Sequence, residues 1–404
     1  MEENQIVKPF THPFLSTFIL APHVLPFQDE EIISLDAELS KYEQIYLHPD
    51  IEKNLISKNE LLASFAISKA ENSLLTLKEA QDVYNLVLTN TSYDFIADKM
   101  KAKQKLTQKD HDKLEFYNIA KTFRTLNEAP CTTEALTPDV ITSIHRQLTQ
   151  GLDIFNGVFS GFTVYKSGVW RDNDLIRVGE YIPAPFNQIR EGVDELIEWL
   201  KGHATISGIA VFHTALYALH PFNNGNKRVC RVLEHLLLRG LGINGKNLYS
   251  TSYYYHKEKP RYYKYLLASL ERKNLNHFVS FVEEAIVLSI ISVLKTSIEV
   301  KRAEFMNKQQ IDGQMYLALK PLIKRQEVQY KNLFRYIRNK MARQTFVNYL
   351  QKAVEREIIT KREIGRATYY QLSVHLPEEK TLGVWIALAS KRLDSMPKEL
   401  VGYL

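Results

Sequence analysis

Helical periodicity runs through most of this 404-residue chain and is interrupted most strongly between Gly151 and Pro185. On either side, apolar residues recur every three or four positions, which is the spacing of one buried helix face. Inside the interruption, glycines and prolines separate short β-prone pieces at Phe162–Tyr165, Val169–Trp170 and Leu175–Val178. Such pieces are typical of a small hairpin. The pattern therefore predicts a mainly α fold with a small β-hairpin flap.

Two of the predicted helices begin at recognisable caps. Thr76 precedes a helix over 78–89, and Thr137 is the cap of one over 137–150 that has Pro138 in its first turn. A threonine hydroxyl accepts a hydrogen bond from a free N–H of the first turn, and a proline there loses no helical bond. Further helices are predicted at residues 30–45, 59–75, 106–126, 186–202, 207–219, 226–238, 259–270 and 276–306.

The C-terminal part has a different order of elements. Three predicted helices, 314–324, 330–339 and 343–357, precede two extended pieces at 358–360 and 367–372. Three helices followed by a hairpin is the order of a winged helix-turn-helix unit, and a helical bundle with a separate hairpin is the alternative.

Charge clusters in the same part of the chain. Between Lys320 and Arg366 there are about 13 Lys or Arg residues against about 4 acids, a basic patch of the kind that contacts phosphates. DNA is therefore an expected partner through residues 320–366, and a solvated helical face, a protein-docking module or a dimer interface is the alternative. In a winged helix, base edges would be contacted by Gln344, Asn348 and Gln351, and phosphates by Arg343, Lys352 and Lys361–Arg366.

Composition narrows the class of protein. Hydrophobic residues make up 45% of the chain and charged residues 24%, which argues against wholesale disorder. The two cysteines, Cys131 and Cys230, form neither a disulfide framework nor a metal-ligand pattern. The first 13 residues lack the features of a signal peptide, and the apolar stretch Ala285–Leu294 is too short to span a bilayer. We expect a cytoplasmic protein without a membrane partner.

The stretch Leu219–Arg231, LHPFNNGNKRVCR, combines a titratable base with the start of a helix. Pro221 and Gly225 bracket a tight turn, so His220 comes just before a loop. The helix that follows begins near Asn226 and points free N–H groups into that loop, where they bind phosphate. The imidazole of His220 titrates close to neutral pH. The stretch therefore predicts a base beside an anion site.

The cations of the same stretch strengthen this interpretation. Arg228 and Arg231 are three residues apart and share one helix face, so they can clamp a polyphosphate. Gly225 lets the backbone approach a phosphate closely, and Asn226 and Lys227 add donors. A histidine before a proline is more often structural, and an arginine pair more often a salt-bridge face. Together, within twelve residues, they specify a base and an anion hole.

This stretch resembles the Fic motif, His-Pro-Phe-any-(Asp or Glu)-Gly-Asn-(Gly or Lys)-Arg-any-any-Arg, at eight of its nine constrained positions. The resemblance extends from about residue 60 to residue 290, and Tyr181–Pro185 resembles the end of the family's flap. It implies a Fido-fold core over 111–305, an N-terminal helical region over 1–110 with an inhibitory helix near 60–75, and a winged-helix-like domain over 306–404.

The resemblance implies a protein adenylyltransferase that moves AMP from ATP onto a Ser, Thr or Tyr hydroxyl of a protein. His220 would act as general base and Phe222 would anchor the loop. The α- and β-phosphates would be held by Gly225, Asn226 and Lys227, and the outer phosphates by Arg228 and Arg231.

One motif position departs from the family. Asn224 stands where an acid usually holds Mg²⁺, so we expect weak binding of Mg²⁺ or Mn²⁺ and low activity. Lys227 in place of glycine resembles the Doc branch, whose members phosphorylate proteins. Three alternatives therefore stay open: a related phosphotransferase, a de-AMPylating enzyme, and a nucleotide-sensing DNA-binding regulator with weak or no transferase activity.

An upstream segment, Ile67–Thr76, resembles the inhibitory helix of Fic proteins, (Ser or Thr)-any-any-any-Glu-(Gly or Asn). Glu71 and Asn72 match, while Ile67 stands where a hydroxyl residue is expected. The resemblance implies that Glu71 pairs with Arg231 and occupies the guanidinium meant for the γ-phosphate. An ordinary exposed helix acid is the alternative.

Overall fold

Helices form most of the structure, as the periodicity predicts. The computed structural model describes residues 5–46, 49–129, 131–159 and 164–401. The helices are α1 (Asp29–Tyr46), α2 (Pro49–Ala70), α3 (Leu77–Leu88), α4 (Phe95–Lys101), α5 (Gln108–Asn127), α6 (Pro138–Thr149), α7 (Ile189–Gly202), α8 (Ile206–Leu219), α9 (Asn226–Gly240), α10 (Thr251–Lys257), α11 (Lys259–Glu271), α12 (Asn276–Lys308), α13 (Gly313–Leu319), α14 (Pro321–Lys324), α15 (Tyr330–Ile337), α16 (Arg343–Glu355), α17 (Glu378–Arg392) and α18 (Lys398–Val401). The predicted mainly α fold class is confirmed.

Threonine caps set several helix starts. The Thr76 hydroxyl accepts a hydrogen bond from the N–H of Glu79, and the Glu79 carboxylate accepts one from the Thr76 backbone N–H. Thr137 accepts from Val140 and Pro138 occupies the first position of α6, as predicted. Thr107 and Asp110 form a second reciprocal cap at α5. These caps satisfy N–H groups that a helix cannot satisfy itself.

The contacts divide the chain into two compact units. One comprises Met1–Asp36 and His48–Ser289, and the other Ala37–Leu47 and Ile290–Leu404. The predicted domain boundaries near residues 110 and 305 stay predictions.

The core of the first unit is built around α8. Every residue of this helix except Ser207 is buried, as expected for a helix that is apolar on all sides. It packs against α7 and α9, and α9 also packs against α2, α5 and α6. The loop that joins α8 to α9 therefore lies inside the protein instead of on an open surface.

The flap between α6 and α7 is mostly irregular. Val178 and Tyr181 form a single antiparallel bridge, so the hairpin is reduced to its tightest turn among the described residues. The predicted piece Phe162–Tyr165 lies partly outside those residues. Tyr181 is buried at the end of the flap, and its hydroxyl donates to the Ala218 carbonyl.

The second unit contains a small antiparallel sheet in the order β1-β3-β2, with β1 at Val328–Gln329, β2 at Ile359–Ile364 and β3 at Ala367–Leu372. Gly365, with φ +57°, makes the turn between β2 and β3, where a side chain would be strained. The unit packs on its own apolar cluster, which includes Leu333, Ile337, Phe346 and Leu350. The strand β1 was not predicted from the sequence.

By length and composition alone, α12 is long and apolar enough to cross a membrane. In the structure, 72% of its most apolar window is buried inside the protein, which is the pattern of a core helix. The expected absence of a membrane partner stays a prediction.

Candidate active site

The loop between α8 and α9 is held in one conformation by its own side chains. His220 ends α8 with φ 53°, and Gly225 precedes α9 with φ 81°. The Asn226 amide accepts from the Phe222 N–H (2.9 Å) and donates to the Phe222 carbonyl (2.7 Å). The Phe222 ring is fully buried, stacked on His145 at 3.7 Å. The loop is therefore preorganised, with Phe222 as its anchor.

Arg171, which the sequence analysis did not single out, fixes the position of His220. Its Nε donates to the His220 carbonyl (2.8 Å), and its other nitrogens donate to the carbonyls of Asn173, Ala184 and Leu219. A planar guanidinium with five donors suits this task, because it satisfies several buried carbonyls at once. It also joins the flap to the loop.

His145 supports the other side of the loop. Its Nε2 lies 3.0 Å from the Asn224 carbonyl, and its Nδ1 accepts from the Gly168 N–H at 2.9 Å. Only the neutral ring with its proton on Nε2 satisfies both partners. Burial, with the nearby charge of Arg228, lowers the pKa of His145 to about 3. His145 is therefore a neutral structural group at physiological pH.

His220 opens onto a cavity of about 370 Å³. Burial, together with the charge of Arg171, lowers the pKa of its imidazole to about 4. The ring is thus neutral at pH 7 and able to accept a proton. The same cavity is lined by Glu71, Leu175–Val178, Tyr217 and Asn223–Lys227.

The first turn of α9 brings two cations to Glu71. Lys227 Nζ lies 3.1 Å from one Glu71 oxygen, and Arg228 Nε lies 3.8 Å from the other. Burial opposes ionisation of Glu71, but the charges of Lys227 and Arg228 outweigh it, so the pKa of this carboxyl is lowered. A second acid, Glu115 on α5, lies 2.9 Å from Arg228 Nη1. The sequence analysis missed Glu115.

The ion pairs of Glu71 in the structure are those with Lys227 and Arg228, and its predicted pairing with Arg231 stays a prediction. Arg231 lies three residues, or about 4.5 Å of helix rise, beyond Arg228. Its guanidinium sits over the Tyr262 ring, 4.2 Å from the centroid, and donates to the Ala66 carbonyl at 3.4 Å. Glu71 lies in the turn after α2, and its carboxylate contacts the two cations nearest the start of α9, Lys227 and Arg228.

Residues 66–72 are called the α2 end below. Their polar groups, mainly backbone carbonyls, also contact Lys227 and a further cation, Lys259. The Ala70 carbonyl accepts from Lys227 Nζ (3.1 Å) and from the Tyr263 hydroxyl (2.7 Å). Lys259 donates to the Lys69 carbonyl (3.1 Å) and to the Asn72 side chain (2.9 Å). The last carbonyls of a helix carry partial negative charge, which favours such cations.

The oxygen donors of the motif do not fit a Mg²⁺ or Mn²⁺ ion. The Asn224 side-chain oxygen accepts from the Gly225 N–H (2.7 Å) and from Arg228 Nη2 (3.1 Å). A guanidinium and a divalent cation compete for the same lone pairs, and Mg²⁺ prefers a carboxylate. The described residues also contain no cluster of three His, Cys, Asp or Glu side chains. The structure gives the weak metal role predicted for Asn224 no support.

The predicted residues are thus distributed over three places. His220, Asn224–Lys227 and Glu71 line one cavity, and Arg228 lies directly behind it. Arg231 lies one turn deeper, against Ala66, and Asn72 turns toward Lys259. Arg171, His145 and Glu115 complete the site from distant segments.

Comparison with known proteins identifies the domain that contains this site. Residues 135–238 match the Fic/DOC family. A protein of Aquifex aeolicus (strain VF5) named "Probable protein adenylyltransferase" is 30% identical over 94 residues, which cover 22% of this chain and 29% of that protein. The Caenorhabditis elegans "Protein adenylyltransferase fic-1" is 28% identical over 133 residues, 30% of this chain and 24% of that protein. The chain thus matches less than a third of the length of either relative.

A solved structure agrees with the fold. A Fic family protein from Desulfovibrio desulfuricans G20 superposes with a TM-score of 0.50 at 18% identity, over 87% of this chain and 99% of that one. At this identity the likeness concerns the fold alone. Residues 135–238, which contain the motif loop, are therefore similar to the Fic/DOC family, and the fold around them agrees with that of a Fic family protein.

Proposed function

We propose that this protein is an adenylyltransferase that moves AMP from ATP to a Ser, Thr or Tyr hydroxyl of a cytoplasmic protein, and that the α2 end inhibits it. One observation carries the proposal: a neutral, buried histidine shares a cavity with a helix start whose cations are held by an internal carboxylate. The curated relatives named as adenylyltransferases support the reaction class.

In the transfer step, the oxygen of the target hydroxyl forms a bond to the α-phosphorus of ATP. The bond between that phosphorus and the oxygen leading to the β-phosphate breaks, and pyrophosphate leaves. His220 takes the hydroxyl proton, which a neutral imidazole can accept. The products are an AMP-modified protein and pyrophosphate.

The start of α9 would stabilise the negative charge of the nucleotide phosphates. Its free N–H groups and Lys227 would face the phosphates, and Arg228 would add a second cation. Arg228 is held on its far side by Glu115, so its direction is fixed before the nucleotide binds. Such positioning is the main protein contribution to phosphoryl-type transfer.

Inhibition follows from the position of Glu71. Its carboxylate lies where a phosphate oxygen would meet Lys227, and a negative group there both blocks and repels the nucleotide. The side chains of Lys227 and Glu71 are each only 18% exposed, so water screens this pair less than a surface pair. Release of the α2 end would remove the Glu71 carboxylate from Lys227 and Arg228 together, while Arg228 would keep its pair with Glu115.

The test is transfer of label from ATP labelled on the α-phosphate to protein. We expect little transfer by the parent and about 10- to 100-fold more by Glu71→Gly, since a charge-assisted contact contributes about 1.5–3 kcal/mol. His220→Ala in the Glu71→Gly background should lower transfer by about 10²- to 10⁴-fold.

Glu128→Gly is the matched control, because Glu128 also follows a helix end, is exposed and forms no ion pair among the described residues. It should behave as the parent. Label carried only by γ-labelled ATP would replace the proposal with a phosphotransferase, and no label from either would leave a nucleotide-sensing regulator.

A further inference from the structure

Helix α15 and all of α16 except its last residue, Glu355, lie in a stretch with no acid. From Val328 to Val354 the chain has six Lys or Arg residues and neither Asp nor Glu. The basic side chains are Lys331, Arg335, Arg338, Lys340, Arg343 and Lys352. Across the whole chain 52 Lys or Arg residues stand against 46 Asp or Glu residues, so six basic residues without an acid are a local excess of positive charge.

The fold buries the apolar residues of these two helices and leaves their cations exposed. Leu333, Ile337, Phe346 and Leu350 are buried in the cluster of the second unit. All six basic residues are exposed. Burial of the apolar stripe therefore forces the cations of both helices outward into solvent.

Among the described residues, no acid forms an ion pair with these cations. Arg335, Arg338 and Lys340 form no ion pair within the part of the chain that the structure describes. The hairpin differs, because Lys361 pairs with Glu363 and Arg362 with Glu327. The uncompensated charge is thus concentrated on α15, on the turn after it and on the start of α16.

The exposed face of α16 adds uncharged hydrogen-bonding groups. Gln344, Asn348 and Gln351 recur at intervals of four and three, so they form one stripe, and all three are exposed. Side-chain amides both donate and accept, as base edges require. The 13-residue helix is about 20 Å long, and a helix fits the major groove, which is about 12 Å wide.

We propose that this face binds double-stranded DNA, with α16 in the major groove and the cations of α15 and of the turn on phosphates. The element order, α15, α16 and then the β2–β3 hairpin, is that of helix-turn-helix units with a wing. A polyanion with evenly spaced phosphates matches helices and a turn that expose six cations and carry one acid, Glu355, at the end of α16. This binding is independent of the transferase activity.

The experiment measures fluorescence anisotropy of a labelled 24-base-pair random duplex with the full chain, between 50 and 300 mM salt. We expect micromolar binding at low salt that weakens linearly in the logarithm of salt concentration. The triple variant Arg335→Ala, Arg338→Ala, Lys340→Ala should reduce that slope by about three, since each lost phosphate contact lowers it by about one.

A matched triple variant removes the same charge elsewhere. Lys78, Lys103 and Lys105 are exposed lysines of the first unit, and their replacement by alanine should leave duplex binding unchanged. A further variant, Gln344→Ala with Asn348→Ala, should keep the salt slope and alter only sequence preference. Far-ultraviolet circular dichroism of each variant checks its helical content.

Three results would overturn the proposal. These are absence of duplex binding at 50 mM salt, equal weakening by the two triple variants, and tighter binding of single-stranded RNA or of an acidic peptide than of the duplex. The second result would mean that net charge alone drives binding, and the third would assign the face to another class of partner.

Discussion

Two cation-rich regions of this protein differ in whether their cations have partners within the protein. At the start of α9, Lys227 pairs with Glu71, Arg228 with Glu115, and Arg231 lies over the Tyr262 ring. On α15 and the turn after it, Arg335 and Lys340 are exposed in a stretch without acids. The first region is compensated from within the protein, and the second is left to solvent and salt.

The difference follows from burial. A buried guanidinium without a partner costs several kcal/mol, so Arg228 and Arg231 need internal partners in order to be there at all. An exposed cation costs little, and its counter-ions are free to leave when a polyanion binds. A buried site can therefore be regulated by exchanging its internal anion, whereas a surface site responds to salt.

The largest effect that would test this comparison is on stability. Glu115→Ala leaves Arg228 buried with only the more distant Glu71, and should lower the free energy of unfolding by about 3–5 kcal/mol. Urea unfolding followed by tryptophan fluorescence measures it. A Trp385→Phe background restricts the signal to the two tryptophans of the first unit, Trp170 and Trp199.

The control for this prediction is Glu128→Ala, which removes an exposed acid from the end of the same helix, α5. It should change the free energy of unfolding by less than about 0.5 kcal/mol. If Glu115→Ala behaved like this control, Arg228 would not depend on internal compensation, and the contrast between the two regions would fail.

The site residues that are close together in the sequence could be predicted from it. His220, Gly225 and Asn226 occupy one motif, and their backbone roles follow from the turn and the helix start. Glu115, His145 and Arg171 could not be found in this way, because each comes from a separate segment without a local pattern. Only packing of α5, α6 and the flap around the loop brings them together.

The ion pairs of Glu71 with Lys227 and Arg228 were not predicted, for the same reason. Helical spacing correctly put Arg228 and Arg231 on one face of α9, yet it could not show which of them meets the turn after α2. Tyr262, which shields Arg231, lies in α11 and has no sequence relation to the motif. The helices α15 and α16 of the second unit were predictable, since their apolar spacing is local, whereas α17 and the two-residue strand β1 were not predicted.

A smaller effect is expected from acid. The pKa of His145 is about 3 in the folded state, below the ordinary histidine value of 6.5, so the unfolded chain binds the proton first. Its stabilising contribution is complete above pH 6.5 and declines as the pH falls toward 3. Between pH 7.5 and pH 5 this one group should remove about 2 kcal/mol from the free energy of unfolding.

The measurement compares the parent with His145→Gln at both pH values. Glutamine retains a donor for the Asn224 carbonyl but does not titrate, so the stability gap between the two proteins should shrink by about 2 kcal/mol at pH 5. A gap that is the same at both pH values would mean that His145 is not held neutral, and that the loop tolerates a charge there.

A still smaller effect concerns the α2 end. Lys259 holds it from α11 through the Lys69 carbonyl and the Asn72 side chain. Loss of this contact by Lys259→Ala should weaken docking of the α2 end by about 1 kcal/mol, and so raise label transfer about fivefold. Lys264→Ala, an exposed cation on the same helix, should not change transfer.

The effect of Lys259→Ala should depend on whether Glu71 is present. In a Glu71→Gly background, Lys259→Ala should add little, because the site is already open. Equal stimulation in both backgrounds would show that Lys259 acts on catalysis directly, and not through the α2 end.

The smallest expected effect lies on the other side of the comparison. Replacing Arg335, Arg338 and Lys340 by alanine removes three cations that contact no acid, and alanine favours helices. Each substitution should therefore change the free energy of unfolding of the second unit by less than about 0.5 kcal/mol, even though the triple variant loses duplex binding. Urea unfolding monitored by Trp385 fluorescence, in a Trp170→Phe, Trp199→Phe background, measures it. A loss above about 1 kcal/mol per side chain would show that these cations serve the fold, and the absence of acids around them would then need a structural explanation instead of a ligand.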